Sequence, residues 1–192
     1  MDGQGLCSRA LPYLDSRASR ERPVVSLPAR DAPVLTDLGN GLLVGYVVDH
    51  GPHFQYIQRG HLWAAGMTRA ELHLHAVARL AMMLADKSGK IHACADGFVV
   101  VFDGYFDASL ILVDVLWDET IADLAPNGFV VAIPNRNVLA FCDSRTPEGP
   151  EQLRRIIEDV GTGDHSLTKT LYHRDPARRD WRPYRDPGSI LN

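Results

Sequence analysis

The chain has 192 residues, a formal net charge of -4, 45% hydrophobic and 23% charged residues. This suits one soluble domain that buries roughly 70% of its unfolded surface, and it excludes collagen-like, coiled-coil and wholly disordered chains. The three cysteines, at 7, 94 and 142, form no C-x-x-C pair and cannot all pair within the chain, which excludes a disulfide scaffold and a zinc ribbon and points to a reducing cytoplasm.

No apolar run approaches the ~20 residues that span a bilayer. Met1 to Arg22 is broken by polar residues and has no h-region, so neither a membrane span nor a signal peptide is expected. Residues 1–30 carry five Arg against three acids (+2), residues 173–192 carry the same (+2), and residues 31–172 hold ten bases against eighteen acids (-8). Such a body repels phosphates, so nucleic acid is not the expected partner, and only the ends could supply positive potential.

Residues 1–30 lack a sustained period and read as a flexible, Arg-containing arm with one short helical turn near Ala10 to Leu14. Gly41 to Asp49 and His53 to Arg59 read as strands of a hairpin around His50-Gly51-Pro52. Thr68 and Glu71 form a capping box, and Leu72, Ala76, Val77, Leu80, Met83 and Leu84 recur at helical spacing until Lys87 to Gly89. Lys90 to Ala95 and Phe98 to Phe102 form a second hairpin around Asp96-Gly97, followed by a helix expected over Asp107 to Leu124. Phe129 to Ile133 and Val138 to Cys142 form a third around Pro134 to Asn137, followed by a helix from Pro147 to Val160 that stops at Gly161. The pattern predicts an α+β domain over 31–172: three consecutive ββα units, with helices packed on a mostly antiparallel sheet. Residues 173–192 form an Arg and aromatic tail.

The candidate chemistry centres on Asp103, Tyr105, Asp107, Asp114 and Asp118. If 107–124 is helical, Asp107, Asp114 and Asp118 lie within about 40° of one another on its wheel. Two readings follow. The functional one makes Asp103, Asp107 and Asp114 an acidic pocket for a cation, a basic peptide or an ammonium group. The structural one makes Asp107 a helix N-cap, Asp103 a turn residue before Gly104, and Asp114 a buried acceptor for a donor such as Tyr105. In the tail, Trp181 and Tyr184 among arginines could stack on bases, or could pin the tail to the domain's own surface.

His73 falls on the apolar stripe of its helix and reads as a core histidine with a hydrogen-bond partner, whereas His75 faces water. Neither this pair nor His50, His53 and His61 has metal-ligand spacing, and no metal or cofactor is implied. Cys94 and Cys142 lie in apolar strands and read as small hydrophobes, with a Cys-His nucleophile left open.

Four stretches together resemble a known family: Leu42 to Asp49 with Tyr56-Ile57 and the Met67-Thr68 helix entry; Asp103-Gly-Tyr-Phe-Asp-Ala-Ser-Leu-Ile-Leu-Val-Asp114; Val130 to Phe141; and Leu171-Tyr172. By their order and spacing, the chain from about Val34 to Tyr184 resembles the YtpQ-like family of uncharacterised bacterial proteins, a domain of unknown function. Phe106 is an additional residue relative to the family's Asp-Gly-Tyr-Asp-Ala-Ser pattern. The resemblance implies an α+β bacterial protein and brings no catalytic residue.

The leading functional expectation is a non-catalytic binding module of immunity or adaptor type whose acidic surface meets a basic protein partner. The alternatives are a metal-assisted hydrolase using Asp107 and Asp114, and a nucleic-acid binder using the tail. Oligomeric state has no signature in the sequence.

Overall fold

The computed structural model describes residues 2–17, 27–87, 89–161, 163 and 165–186. In chain order the elements are α1 (Gly3–Cys7), β1 (Leu11–Ser16), β2 (Leu35–Gly39), β3 (Leu42–Asp49), β4 (Phe54–Tyr56), α2 (Arg59–Ala65), α3 (Arg69–Lys87), β5 (Lys90–Cys94), β6 (Gly97–Val101), β7 (Phe129–Ala132), β8 (Leu139–Asp143), α4 (Gly149–Val160), β9 (Tyr172–Arg174) and β10 (Trp181–Pro183). The strands make two sheets, every pairing antiparallel. One has the order β1-β3-β2, with β4 also on β3; the other has the order β10-β9-β7-β8-β6-β5. The fold is therefore α+β.

Local chemistry accounts for the regular elements. Thr68 and Glu71 cap α3 reciprocally: Thr68 N-H donates to Glu71 Oε2 (2.8 Å) and Glu71 N-H to Thr68 Oγ1 (3.2 Å). Leu72, Ala76 and Leu80, spaced by four, are fully buried, and each leucine contributes roughly 2 kcal/mol relative to exposure. Helix α4 starts with Pro150 in its first turn and ends at Gly161, whose φ of 66° suits a residue without Cβ. Along β7, Phe129 and Val131 enter the main core between the sheets, while Val130 and Ala132 join Leu153 and Ile157 of α4 in a second core on the outer face. Gly45 of β3 is required by packing, because a Cβ there would stand 2.7 Å from Tyr56 Cε1.

Several expectations need correction. Within the expected N-terminal arm, Gly3–Cys7 is a short helix, and Leu11 to Ser16, which takes in most of the expected helical turn, forms a buried strand paired with Leu42 to Val47. Both of its faces are covered, which erases the alternation that marks a half-buried strand, and Pro12 is tolerated because only one side of β1 is paired with a strand. The tail is also structured through residue 186, with β9 paired to β7 and β10 to β9. Residues 1 and 18–26 of the expected arm and residues 187–192 of the tail lie outside the described residues.

The expected helix over 107–124 is replaced by 3-10 turns at Ala108–Leu112 and Ala122–Leu124 and a π turn at Leu116–Thr120. Tertiary donors take the carbonyls that a helix would use, since Trp117 Nε1 donates to Leu110 O and Trp181 Nε1 to Ile111 O, both at 3.0 Å. The β-branched Ile111, Val113 and Val115 also weaken helical preference. The segment fills the space between the sheets with Leu110, Val113, Leu116 and Trp117 buried. Three ββα units therefore do not describe the chain, because the second lacks its helix and four further strands, β1, β2, β9 and β10, complete the sheets.

His73 carries a pH prediction. Its Nδ1 lies 3.0 Å from Tyr46 Oη, which also bonds Thr36 Oγ1 at 2.8 Å, and burial pushes the imidazole's pKa below its ordinary value of 6.5. The unfolded chain thus takes up a proton near pH 6.5 that the folded chain resists, so this group lowers stability as pH falls below 6.5. Urea midpoints at pH 7.5 and 5.5 should differ more for the wild type than for His73→Gln, which keeps an acceptor for Tyr46 and cannot titrate. Equal differences would contradict the assignment.

Candidate functional site

A cleft of about 600 Å³ opens where the β3-β4 turn, the turn at 103–105, the β7-β8 loop and His165 meet. Its floor is Arg136, delivered by the β7-β8 loop. Arg136 Nε donates to Leu14 O (2.9 Å), Nη2 to Asp15 Oδ1 (2.7 Å) and Nη1 to His165 Nδ1 (3.0 Å), while the guanidinium lies 4.7 Å from the Tyr13 ring centroid. Both side chains of the Arg136–Asp15 pair are largely buried. The same loop is strapped from below, with Ala108 N-H donating to Arg136 O and Arg136 N-H to His165 O.

One wall is aromatic. Phe54 meets Tyr13 and Tyr105 edge-on, with centroids 5.3 and 5.5 Å apart, and Phe106 packs behind both Tyr13 and Phe54. Phe106, 1% exposed, is thus a buried support for the wall. Tyr105 itself is 59% exposed. Asp49 stands exposed at the rim, its Oδ1 accepting from Gly51 N-H (2.7 Å). Asp103 Oδ1 accepts from the N-H groups of Tyr105 and Phe106, and its Oδ2 lies 3.6 Å from Lys87 Nζ. Asn135 Oδ1, also in the lining, is buried and has no hydrogen-bond partner among the described residues.

The expected acidic residues therefore separate. Asp103 and Tyr105 line the cleft, and Asp107 sits behind them, 2% exposed. Asp107 caps no helix: its two oxygens turn back to accept from Phe102 N-H (2.8 Å) and Gly104 N-H (2.7 Å) and hold the 102–104 turn. Asp114 is neither buried nor bonded to Tyr105. It is 74% exposed and pairs with Arg174, which is 2% exposed and also grips both oxygens of Asp118 at 2.9 and 3.1 Å. Asp107 and Asp114 share no partner, and their hydrogen-bonding roles do not assemble the expected joint pocket. Among the described residues no group of three or more His, Cys, Asp or Glu side chains is placed to hold a metal ion.

The tail aromatics are engaged. Trp181 stacks edge-on against Trp117 (5.0 Å) beneath Arg174 and donates to Ile111 O, while Tyr184 packs on the second core and its N-H bonds Leu171 O. Both are half-buried against the domain's own surface, as the reading that the aromatics pin the tail to the domain expects. His61 accepts from Gln58 N-H at the start of α2, and His50 bonds Gln55 and stacks on His53, so the three do not converge. Cys142 is buried and its thiol is pushed up to about 12 by burial and the Asp143 charge, which keeps it protonated and unreactive.

Sequence reasoning missed Tyr13, Asp15, Asp49, Phe54, Asn135, Arg136 and His165. The only available signal was a charged residue, Asp15, directly after the apolar Leu11-Pro-Tyr-Leu14. Arg136 reads as an ordinary hairpin-turn residue until the fold places it against β1.

Exposure decides which charge matters around Arg174. Arg174→Met should destabilise the chain by about 3 kcal/mol in urea unfolding, since it leaves the mostly buried Asp118 with the exposed Arg179, at 3.6 Å, in place of a buried guanidinium. Asp114→Asn should cost below about 1 kcal/mol, as an exposed partner does. The reverse order would overturn this account of the cluster.

Comparison with protein-family models, curated proteins and solved structures gives no match, so what the site does is read from its geometry.

Proposed function

We propose that the chain is a non-catalytic binding module of immunity or adaptor type that holds a cationic segment of a basic protein partner in the cleft. The observation that carries this reading is the character of the lining. Two carboxylates, those of Asp49 and Asp103, line the same cleft as the exposed ring of Tyr105, with the unpartnered Asn135 Oδ1 buried in its wall. The cleft's own guanidinium, Arg136, is committed to Leu14, Asp15 and His165, while Asp49 and Asp103 are met by backbone N-H groups on Oδ1 and Asp103 also by the half-exposed Lys87. A lysine or arginine side chain would supply donors to these carboxylates and a cation to the tyrosine face.

The resemblance to the YtpQ-like family belongs to the same reading and supports a bacterial setting, while the unpaired cysteines support a cytoplasmic one. In the described residues no helix is long and apolar enough to cross a membrane. The hydrolase reading loses its support, because both oxygens of Asp107 are occupied by backbone N-H groups. The nucleic-acid reading loses its support with Trp181 and Tyr184 packed on the domain.

Titration of the full chain with a fluorescent oligo-arginine peptide, and with an oligo-glutamate peptide of equal length, tests this. The cationic peptide should bind with an affinity that falls as salt rises. Asp49→Asn and Tyr105→Ala should each weaken it by about fivefold. Equal binding of the acidic peptide, or indifference to both substitutions, would reject the cleft as the site.

A further inference from the structure

A sheet edge presents backbone N-H and C=O groups that pair readily with another extended chain, and native proteins cover or blunt such edges. Most edges here are treated that way. On β1, Leu14 donates its N-H to Ser109 Oγ (3.2 Å) and accepts from Arg136 Nε (2.9 Å), so side chains cap the strand. β2 carries a bulge between Asp37 and Gly39. β10 has three residues, one of them Pro183, which has no N-H.

β5 has none of these protections. It runs in unbroken register with β6 from Lys90 opposite Val101 to Cys94 opposite Gly97, and four of its five residues are exposed. Among the described residues no strand pairs with its outer side. The exposure is partly apolar, with Ile91 at 36% and the adjoining Val101 at 49%. Alternation along an antiparallel strand leaves the backbone groups of every second residue without a ladder partner.

We propose that β5 is a homodimerisation edge, pairing antiparallel with β5 of a second copy about a twofold axis near His92 and joining the two six-stranded sheets. Charge selects this occupant and this direction. Lys90 begins the strand and Asp96 lies just beyond its end, so an antiparallel twofold brings each Lys90 beside Asp96 of the partner subunit. A parallel pairing would set Lys90 against its own kind. Within one copy Lys90 faces Val101, away from the turn that carries Asp96, so any coupling between the two charges is intermolecular. The twofold also makes the contact self-complementary and closed, and it lays Ile91 against the partner subunit's Ala93.

Sedimentation equilibrium of the full chain should give twice the 21.2 kDa chain mass. Ile91→Lys should weaken the dimer by about tenfold or more, with the far-UV circular dichroism unchanged. Lys90→Asp and Asp96→Lys should each weaken it, and the two together should restore it. If Ile91→Lys does not fold, the charge exchange decides alone. A wild-type mass of 21.2 kDa at every concentration, or a dimer that lacks this pattern of loss and restoration, overturns the proposal. Capture of another protein's strand by a monomeric chain would overturn it too.

Discussion

The buried pair between Arg136 and Asp15 is the constraint on which the two sheets and the cleft depend. Asp15 belongs to the first sheet and Arg136 to the β7-β8 loop of the second. One guanidinium therefore joins β1, the strap at His165 and the aromatic ring of Tyr13. An arginine suits this position because its planar fork serves three acceptors in fixed directions, which an ammonium group cannot do. A pair of this kind need not add net stability over an apolar substitute, but losing one member strands the other in a dry site. Its effect is to fix how the sheets meet, and the cleft is the opening left at that seam.

The same logic explains why the acidic body does not act as a uniform acidic surface. Arg174, almost fully buried, neutralises Asp118 and draws in exposed Asp114, and Arg17 pairs with Asp37. Asp107 is consumed by the backbone of its own turn. What remains for a partner depends on local geometry, and at the cleft the carboxylates of Asp49 and Asp103 stand among the lining groups. The tail arginines that balance the charge on paper are partly built into the fold, with Arg174 holding the irregular 114–118 segment against β9.

Elements governed by local rules were legible in the sequence. The Thr68/Glu71 box and the stop at Gly161 each act within a few residues, and each matches the structure; the second hairpin is also present, but its turn lies one residue earlier than expected, at Ala95-Asp96, with Gly97 already paired to Cys94. Elements governed by distant partners were not. β1 is apolar on both faces and contains proline, so its period is hidden. Leu110 to Leu116 reads as helix by apolar content, yet its carbonyls at Leu110 and Ile111 are taken by indoles, one of them about seventy residues further along the chain. The site divided in the same way. Asp103 and Tyr105 lie in a turn that the sequence marks, whereas Arg136 becomes a site residue only when β1 is laid beside its loop.

A double-mutant cycle on Asp15→Asn and Arg136→Met, read by urea unfolding, tests the central claim most directly. Each single substitution disturbs its own surroundings, and the cycle isolates what the two side chains do together. A coupling of about 2 kcal/mol or more is expected for a buried pair that joins the sheets. Additivity within about 0.5 kcal/mol would show that the sheets are held by something else.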